Sequence, residues 1–445
     1  MRNKGQRPHD VSWFHRPGWQ MTVAGVALAV LSAAANMASP LYPTYQQVLG
    51  ISALTMTVLY ATFAATAVPS LLLFGPAGDA LGRKPVLLAS LTCAFGGTAV
   101  FAVGGDVSAL FLGRVLVGVG LGMGTGAGIA AMVESAPACH PARGSTLATV
   151  AFVVGSGAGP LLAGVLAQYL PQPTTLPFGV MLALLGGAGL LALSLRGSML
   201  PARRVWRPTR PTVPRPVRVV FAVAAVGGFL GWAVVGVFLA LLPSVAESST
   251  DTPNYALSGA VVGAVLFCSA LSQFVAPRLA PRAAQTLGLT GLAIGMTLLV
   301  SSYLPLFADG GSLAVLAIAA VVCGCGHGLG YWGAAREIDI RAPHRYRAGV
   351  SAALYLGFYA GAGIPALAVG LLSLAGSLQT AIQSVGMVIV LVTVAFLPVP
   401  SLIQTPILHR PAGGAHPPVA PSSPASQPGA PPRAGRTEPV PRSMV

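Results

Sequence analysis

Twelve apolar stretches of about 20 residues follow one another along this chain of 445, at roughly 19–43, 54–76, 86–104, 109–133, 145–169, 176–195, 219–243, 255–276, 284–304, 312–335, 349–374 and 377–397. At about 1.5 Å per helical residue, each can cross the ~30 Å hydrocarbon core of a bilayer. A transmembrane β-barrel would read instead as short alternating segments. Only 8% of the residues are charged, against about 25% in a soluble globular protein. The chain therefore reads as an all-α integral membrane protein with twelve transmembrane helices. Its first stretch follows a basic head, as a signal peptide would. It is too long for a signal h-region and a second stretch follows at once, so it reads as an uncleaved span.

Lys and Arg collect on the cytoplasmic side of membrane proteins. With the N-terminus inside, the basic residues fall in the head (Arg2, Lys4, Arg7, Arg16), at Arg83 and Lys84, at Arg143, and in a central segment (Arg196, Arg203, Arg204, Arg207, Arg210, Arg215, Arg218). They continue at Arg278 and Arg282, at Arg336, Arg341, Arg345 and Arg347, and in the tail (Arg410, Arg433, Arg436, Arg442). That places 24 of the 25 on one side, and the segments assigned to the other side carry Asp106, Glu247, Asp251 and Asp309. A shift of one span would scramble this partition. Both termini are expected in the cytoplasm of a plasma membrane, and Ala-, Gly- and Pro-rich composition with Lys only at 4 and 84 fits a GC-rich bacterial genome. The net charge of +15, which in a soluble protein would suggest nucleic acid, is thus a membrane-orientation signal, and no nucleic-acid partner is expected. Cys93, Cys139, Cys268, Cys323 and Cys325 form no disulfide framework or zinc spacing.

The two halves repeat. Glu134, then Arg143-Gly144-Ser145, is echoed by Glu337, then Arg347-Ala348-Gly349-Val350-Ser351. Gly157-Ala158-Gly159-Pro160 through Gly164 is echoed by Gly361-Ala362-Gly363-Ile364-Pro365 through Gly370. The organisation is a head (1–18), a six-helix bundle (19–195), a basic linker (196–218), a second six-helix bundle (219–397) and a Pro-rich tail (398–445) that reads as disordered. Parallel repeats with a site at their interface are a transporter architecture.

Between the second and third stretches, Gly75-Pro76-Ala77-Gly78-Asp79-Ala80-Leu81-Gly82-Arg83-Lys84 places three charges within six positions. From these residues alone it is either a solvated hairpin or a gate element. The spacing Gly75-x-x-x-Asp79-x-x-Gly82-Arg83-Lys84 resembles the signature of the major facilitator superfamily, departing at Ala80, where the family usually has a base. The equivalent segment at 277–282 keeps two Arg and no acid. Arg114 and Gly118 resemble the family's helix-four motif, linked in many members to proton coupling. An Arg at that depth either faces a polar cavity or partner or snorkels to the headgroups. Gly155, Gly159, Pro160 and Gly164 resemble the fifth-helix motif of drug-export members, with Ala163 in place of one glycine. The bare residues read as small contacts with a helix-bending Gly-Pro pair. In the fourth span, Gly118, Gly122 and Gly126 share one face and Gly120, Gly124 and Gly128 nearly the opposite one, at 3.6 residues per turn.

What the resemblance implies is a secondary transporter working by alternating access, most like bacterial drug or metabolite efflux members. It would exchange protons for a small, fairly apolar organic compound, as a monomer without cofactor or metal. Gly75, Asp79, Gly82, Arg83, Lys84, Glu134 and Arg143 would form the gate. Arg114, Asn36 and His327 are candidates for coupling, although no Asp or Glu lies in the middle of a span. His327 is open to two readings, a protonatable group facing the pathway or a packed, hydrogen-bonded core residue. Tyr42, Tyr60, Trp232, Gln273, Tyr331, Trp332, Tyr355 and Tyr359 are pathway candidates that serve equally as interfacial belts. Uptake or facilitated diffusion of a sugar-like metabolite is the alternative; an enzyme lacks any convergent constellation and a receptor any soluble domain. Asp79→Asn is expected to abolish transport while leaving membrane insertion intact, and full transport by that variant would refute the gate.

Overall fold

The computed structural model describes residues 17–137, 139, 142–195, 206–208, 210–248, 254–304, 311–343 and 347–402. Residues 1–16 of the head, Arg196, Arg203, Arg204, Arg345, Asp251, Asp309 and the tail beyond 402 lie outside them. The first half comprises α1 (Pro17–Asn36), α2 (Tyr42–Leu49), α3 (Ala53–Phe74), α4 (Ala77–Leu81), α5 (Arg83–Val103), α6 (Val107–Glu134), α7 (Ala142–Tyr169) and α8 (Leu176–Ala192). The second comprises α9 (Arg218–Ser248), α10 (Tyr255–Val275), α11 (Pro281–Ser301), α12 (Gly311–Arg341), α13 (Arg347–Leu372), α14 (Leu378–Phe396) and the single turn α15 (Val399–Leu402). Eleven of the helical segments are long and apolar enough to cross a membrane, and the 17-residue α8 is apolar throughout. With α2, α4 and α15 set aside as short accessories, six spans belong to each half.

Departures from the sequence reading have local causes. The first span stops at Asn36 rather than running to 43, because Pro40 and Pro43 supply no backbone N–H. A 3-10 turn (Ser39–Leu41) and α2 follow, each with Pro in its opening positions, and α2 ends on left-handed Gly50 (φ 63°). The charged turn at 75–84 contains a helix of its own, α4, closed by Gly82 at φ 97°, a backbone angle that favours glycine. α12 runs on to Arg341, so Arg336, Glu337 and Asp339 are helical. The ordered chain extends past 398 through α15, whose Pro400 is buried.

Four spans start on side-chain caps: Ser52 for α3, Asp106 for α6, Asn254 for α10 and Ser377 for α14. All four lie at the end of the bundle opposite Arg83, Lys84, Arg282 and Arg341, which is called the basic end below. Within the apolar spans, hydroxyls return to carbonyls one turn back, as Ser32 does to Leu28 and Thr125 to Leu121.

The halves pack as copies. α1 lies against α6 and α7 as α9 lies against α12 and α13; α3 meets α6 as α10 meets α12; α5 meets α6 and α8 as α11 meets α12 and α14. Two long seams join the halves, α7 with α10 and α3 with α13, and the same correspondence exchanges one seam for the other.

Small residues set these spacings. Built onto the backbone, a Cβ at Gly122 would stand 2.8 Å from Ser70 Cβ and one at Gly126 3.1 Å from Gly75 Cα, both toward α3. On the other face of α6, a Cβ at Gly120 would stand 2.6 Å from the Ser90 carbonyl on α5, and Gly124 abuts Leu31 on α1. The alternating glycines therefore let α6 touch α3 on one side and α1 and α5 on the other. Gly122→Ala is expected to destabilise the protein by about 1–3 kcal/mol through overpacking, read as a lowered unfolding midpoint in detergent. Gly187→Ala, where a Cβ meets nothing within 4 Å, is expected to leave the midpoint unchanged.

Candidate functional site

Midway between the halves lies a cavity to which both contribute. Asn36 on α1, Phe63 on α3, and Phe152 and Ser156 on α7 face Trp232 on α9 and Tyr355, Phe358 and Tyr359 on α13. Among the described residues no formally charged side chain lines it. Its volume is about 20 Å³, on a measure where one water needs roughly 10–15 Å³, so the halves are closed around it. Phe152 sits edge-on to Trp232 at 6.1 Å, and Phe63 to Tyr359 at 6.4 Å, so aromatic contacts bridge the halves at the cavity itself.

Of the pathway candidates, Trp232, Tyr355, Tyr359 and also Asn36 reach this cavity. Tyr60 stands behind Phe63 at 5.4 Å, and Tyr331 behind Trp232 at 6.2 Å. Tyr42, Gln273 and the half-buried Trp332 are not among its lining residues. Sequence reasoning missed Phe63, Phe152, Ser156 and Phe358. The available signal was helical spacing, since 152/156 and 355/358/359/362 each keep to one face, but a Phe within an apolar span reads equally as core.

Arg114 is fully buried, and its guanidinium neither snorkels to a headgroup nor lines the cavity. It donates to the Ala35 carbonyl at 2.6 Å and to the Tyr42 hydroxyl. Its cationic carbon lies 5.4 Å, 6.0 Å and 5.6 Å from the ring centroids of Tyr42, Phe63 and Phe101. The charge is met by a carbonyl, a phenol and three aromatic faces, and one of those rings, Phe63, also lines the cavity. Tyr42 thus serves as a ligand for Arg114.

His327 is buried on α12, and its Nδ1 shares a hydrogen bond with Ser269 Oγ at 2.8 Å. The ring lies 5.0 Å from Trp232, edge to face, and stacks on Tyr331 at 5.7 Å. Cys323, one turn away, is buried, whereas Cys325 is exposed. Among the described residues no three of His, Cys, Asp and Glu gather at metal-binding distance.

At the basic end, Arg83 pairs with Asp79 and donates to Glu134 at 2.7 Å. The Arg83 side chain crosses Gly78, where a Cβ would lie 3.3 Å from its Cδ. Gly126 of α6 comes close to Gly75, and Gly82 makes the turn. Two predicted members of this cluster are elsewhere: Lys84 donates to the Leu193 carbonyl at the end of α8, at 2.5 Å, and Arg143 is exposed without an ion pair among the described residues. The second half is less asymmetric than its 277–282 segment suggests, because α12 supplies the acid. Glu337 accepts from Arg282 at 3.3 Å and from Arg341 at 2.7 Å, as Glu134 on α6 accepts from Arg83. The ion pairs among the described residues each stay within one half.

Hydrogen bonds between the halves occur at the opposite end. Ser39 donates to the Leu239 carbonyl, Thr44 to the Tyr255 hydroxyl at 2.9 Å, and the Tyr255 backbone to Gln168 Oε1 at 2.9 Å. The Gly-Pro motif of α7 joins the same closure. Gly155 and Gly159 face Ala29 and Ala33 of α1, while Gly164 stands where a Cβ would be 3.1 Å from Gly259 Cα on α10. α7 remains one continuous helix through Pro160.

Two halves of six spans, joined along exchanged seams around a shared cavity, are the arrangement of a membrane transporter. The family model of the Major Facilitator Superfamily matches residues 24–366, and the chain belongs to that family. It is also similar to proteins described as putative multidrug resistance protein MdtD, from Salmonella paratyphi B, Salmonella heidelberg and Salmonella newport, at 26% identity over 151 residues. Each match covers 34% of this chain and 32% of the relative, so the chain spans about a third of the length of these relatives.

Tyr42→Phe leaves the buried guanidinium of Arg114 short of an acceptor. A loss of about 1.5–3 kcal/mol of stability, the worth of a hydrogen bond to a charged group, is expected as a lowered unfolding midpoint in detergent.

Proposed function

We propose that the protein exports a small, uncharged or weakly polar, fairly apolar organic compound, a drug or metabolite, in exchange for protons. The observation that carries this reading is the central cavity, where aromatic rings and a few hydrogen-bonding groups from both halves converge without a formal charge. Such a surface suits flat apolar molecules and offers no counter-charge to a phosphate or carboxylate. The similarity to proteins named for multidrug resistance and the α7 motif support export. The two halves rock about the cavity in alternating access, as a monomer in a bacterial inner membrane, with both termini and the basic end in the cytoplasm.

In that orientation the hydrogen bonds at Ser39, Thr44 and Tyr255 close the outer side. The pairs Arg83–Asp79 and Arg83–Glu134, with Arg282–Glu337 in the other half, act as the inner gate. Asp79 leaves Arg83 to cap a helix N-terminus of the other half when the inner side closes. The Asp79 and Glu134 carboxylates are exposed, and pairs of that kind contribute little stability, about 0–1 kcal/mol each, which suits bonds that exchange partners; Glu337 is buried.

Everted membrane vesicles test the reading. Nile red and N-phenyl-1-naphthylamine, both uncharged dyes, are expected to accumulate when a pH gradient is imposed and to be released by a protonophore. Trp232→Ala is expected to reduce accumulation about tenfold, equivalent to roughly 1.4 kcal/mol of lost contact, with expression unchanged. Accumulation of a neutral sugar in right-side-out vesicles, with none of the dyes exported, would establish uptake instead.

A further inference from the structure

A second cavity lies wholly within the second half, enclosed by α9, α11 and α12 and lined by Gly227, Gly228, Gly231, Gln285, His327 and Tyr331 among others. Its volume is about 10 Å³, close to the roughly 10–15 Å³ that one water occupies on this measure. Two buried polar atoms of its lining have no hydrogen-bond partner among the described residues, His327 Nε2 and Gln285 Oε1. Their residues are 1% and 3% exposed. The other end of each side chain is engaged: His327 Nδ1 with Ser269 Oγ, and Gln285 Nε2 with the Gly333 carbonyl at 3.3 Å. Each group is thereby oriented with one free end. An amide oxygen only accepts, whereas an imidazole nitrogen accepts or donates. A single water in this cavity would satisfy both, donating to Gln285 Oε1 and exchanging a hydrogen bond with His327 Nε2.

The surroundings of His327 suit a ring that takes on charge without a carboxylate. Trp232 meets it from α9, Ser269 from α10, and Gln285 and Leu292 from α11; on α12 itself Tyr331 stacks on it, and the Tyr331 hydroxyl bonds to Tyr355 of α13. None of these carries a formal charge, and Glu337, ten residues along α12, is tied to Arg282 and Arg341. Desolvation opposes an imidazolium in such a place. The stacked face of Tyr331 and the Trp232 ring, both within 6 Å, with a water oxygen backed by an amide carbonyl, would offset it.

We infer that His327, with a bound water and Gln285, is the protonation site of the transport cycle. Nε2 forms an N–H bond with a proton delivered as hydronium, which leaves as water, and returns that proton later in the cycle. Trp232 connects the two sites, since it contacts His327 on one side and lines the substrate cavity on the other. This assignment rests on the proton-coupled reading above and supplies it with a group, in a chain whose spans hold no mid-membrane acid.

Nitrogen NMR of the full-length protein, labelled with 15N-histidine in lipid nanodiscs and without substrate, tests the site directly. His327→Gln identifies the resonances. The imidazole of His327 is expected to convert from neutral to cationic between about pH 5 and 8. Gln285→Leu is expected to lower the midpoint by about one pH unit, and Gln285→Asn, which keeps the amide but withdraws it by one methylene, to shift it in the same direction. A ring that stays neutral to pH 5, or midpoints that ignore both Gln285 variants, would overturn the inference. A normal titration in a protein that exports neither dye would count against the transport reading alone.

Discussion

Close backbone contact between helices is the constraint on which the rest of this structure depends. In lipid, apolar side chains gain little by leaving the hydrocarbon for a protein interior, so association draws on packing at short range and on polar contacts. The glycines of α6 seat it between α3 on one face and α1 and α5 on the other, and Gly155 and Gly159 draw α7 onto α1. Gly164 and Gly370 then carry the two seams between the halves, the first against Gly259 on α10 and the second against Leu54 and Thr57 on α3. Small residues bring the backbones of the two bundles close at these points. That is the kind of contact across which one half can tilt against the other.

The second constraint is the cost of polarity inside the membrane. Arg114 and His327 meet it by similar means, aromatic faces plus a carbonyl or hydroxyl oxygen. Each stands one ring behind the central cavity, Arg114 behind Phe63 and His327 behind Trp232. Both can therefore influence a bound molecule through the ring between them while the cavity wall remains uncharged. The ion pairs, by contrast, collect at the basic end, and the hydrogen bonds between halves at the other. Polarity in the middle is thus screened by aromatic rings, and the ion pairs and the hydrogen bonds between halves sit at opposite ends.

The number of spans, the partition of basic residues and the repeat were legible because each follows from one-dimensional rules: run length, position of Lys and Arg, and offset between similar words. The acid that pairs with Arg282 in the second half was not legible, because Glu337 reaches it from 55 positions away, across two packed helices. The same holds for Tyr42, which read as a pathway residue and binds Arg114 from a different helix. Lys84 and Arg143 sat in the right segment and joined no cluster, since adjacency in sequence says nothing about side-chain direction.

Sequence by itself determined that this chain spans a membrane as two related six-helix halves, because hydrophobic length and charge placement answer to the bilayer and not to any neighbour in the fold. It also determined where helices approach closely, because only glycine permits such contact. Tertiary structure decided which aromatic rings form the site, which carboxylate meets which arginine, and that His327 and Gln285 face one small cavity together. Those are matters of which helix face turns toward which partner, and the apolar side chains around them carry no mark of it.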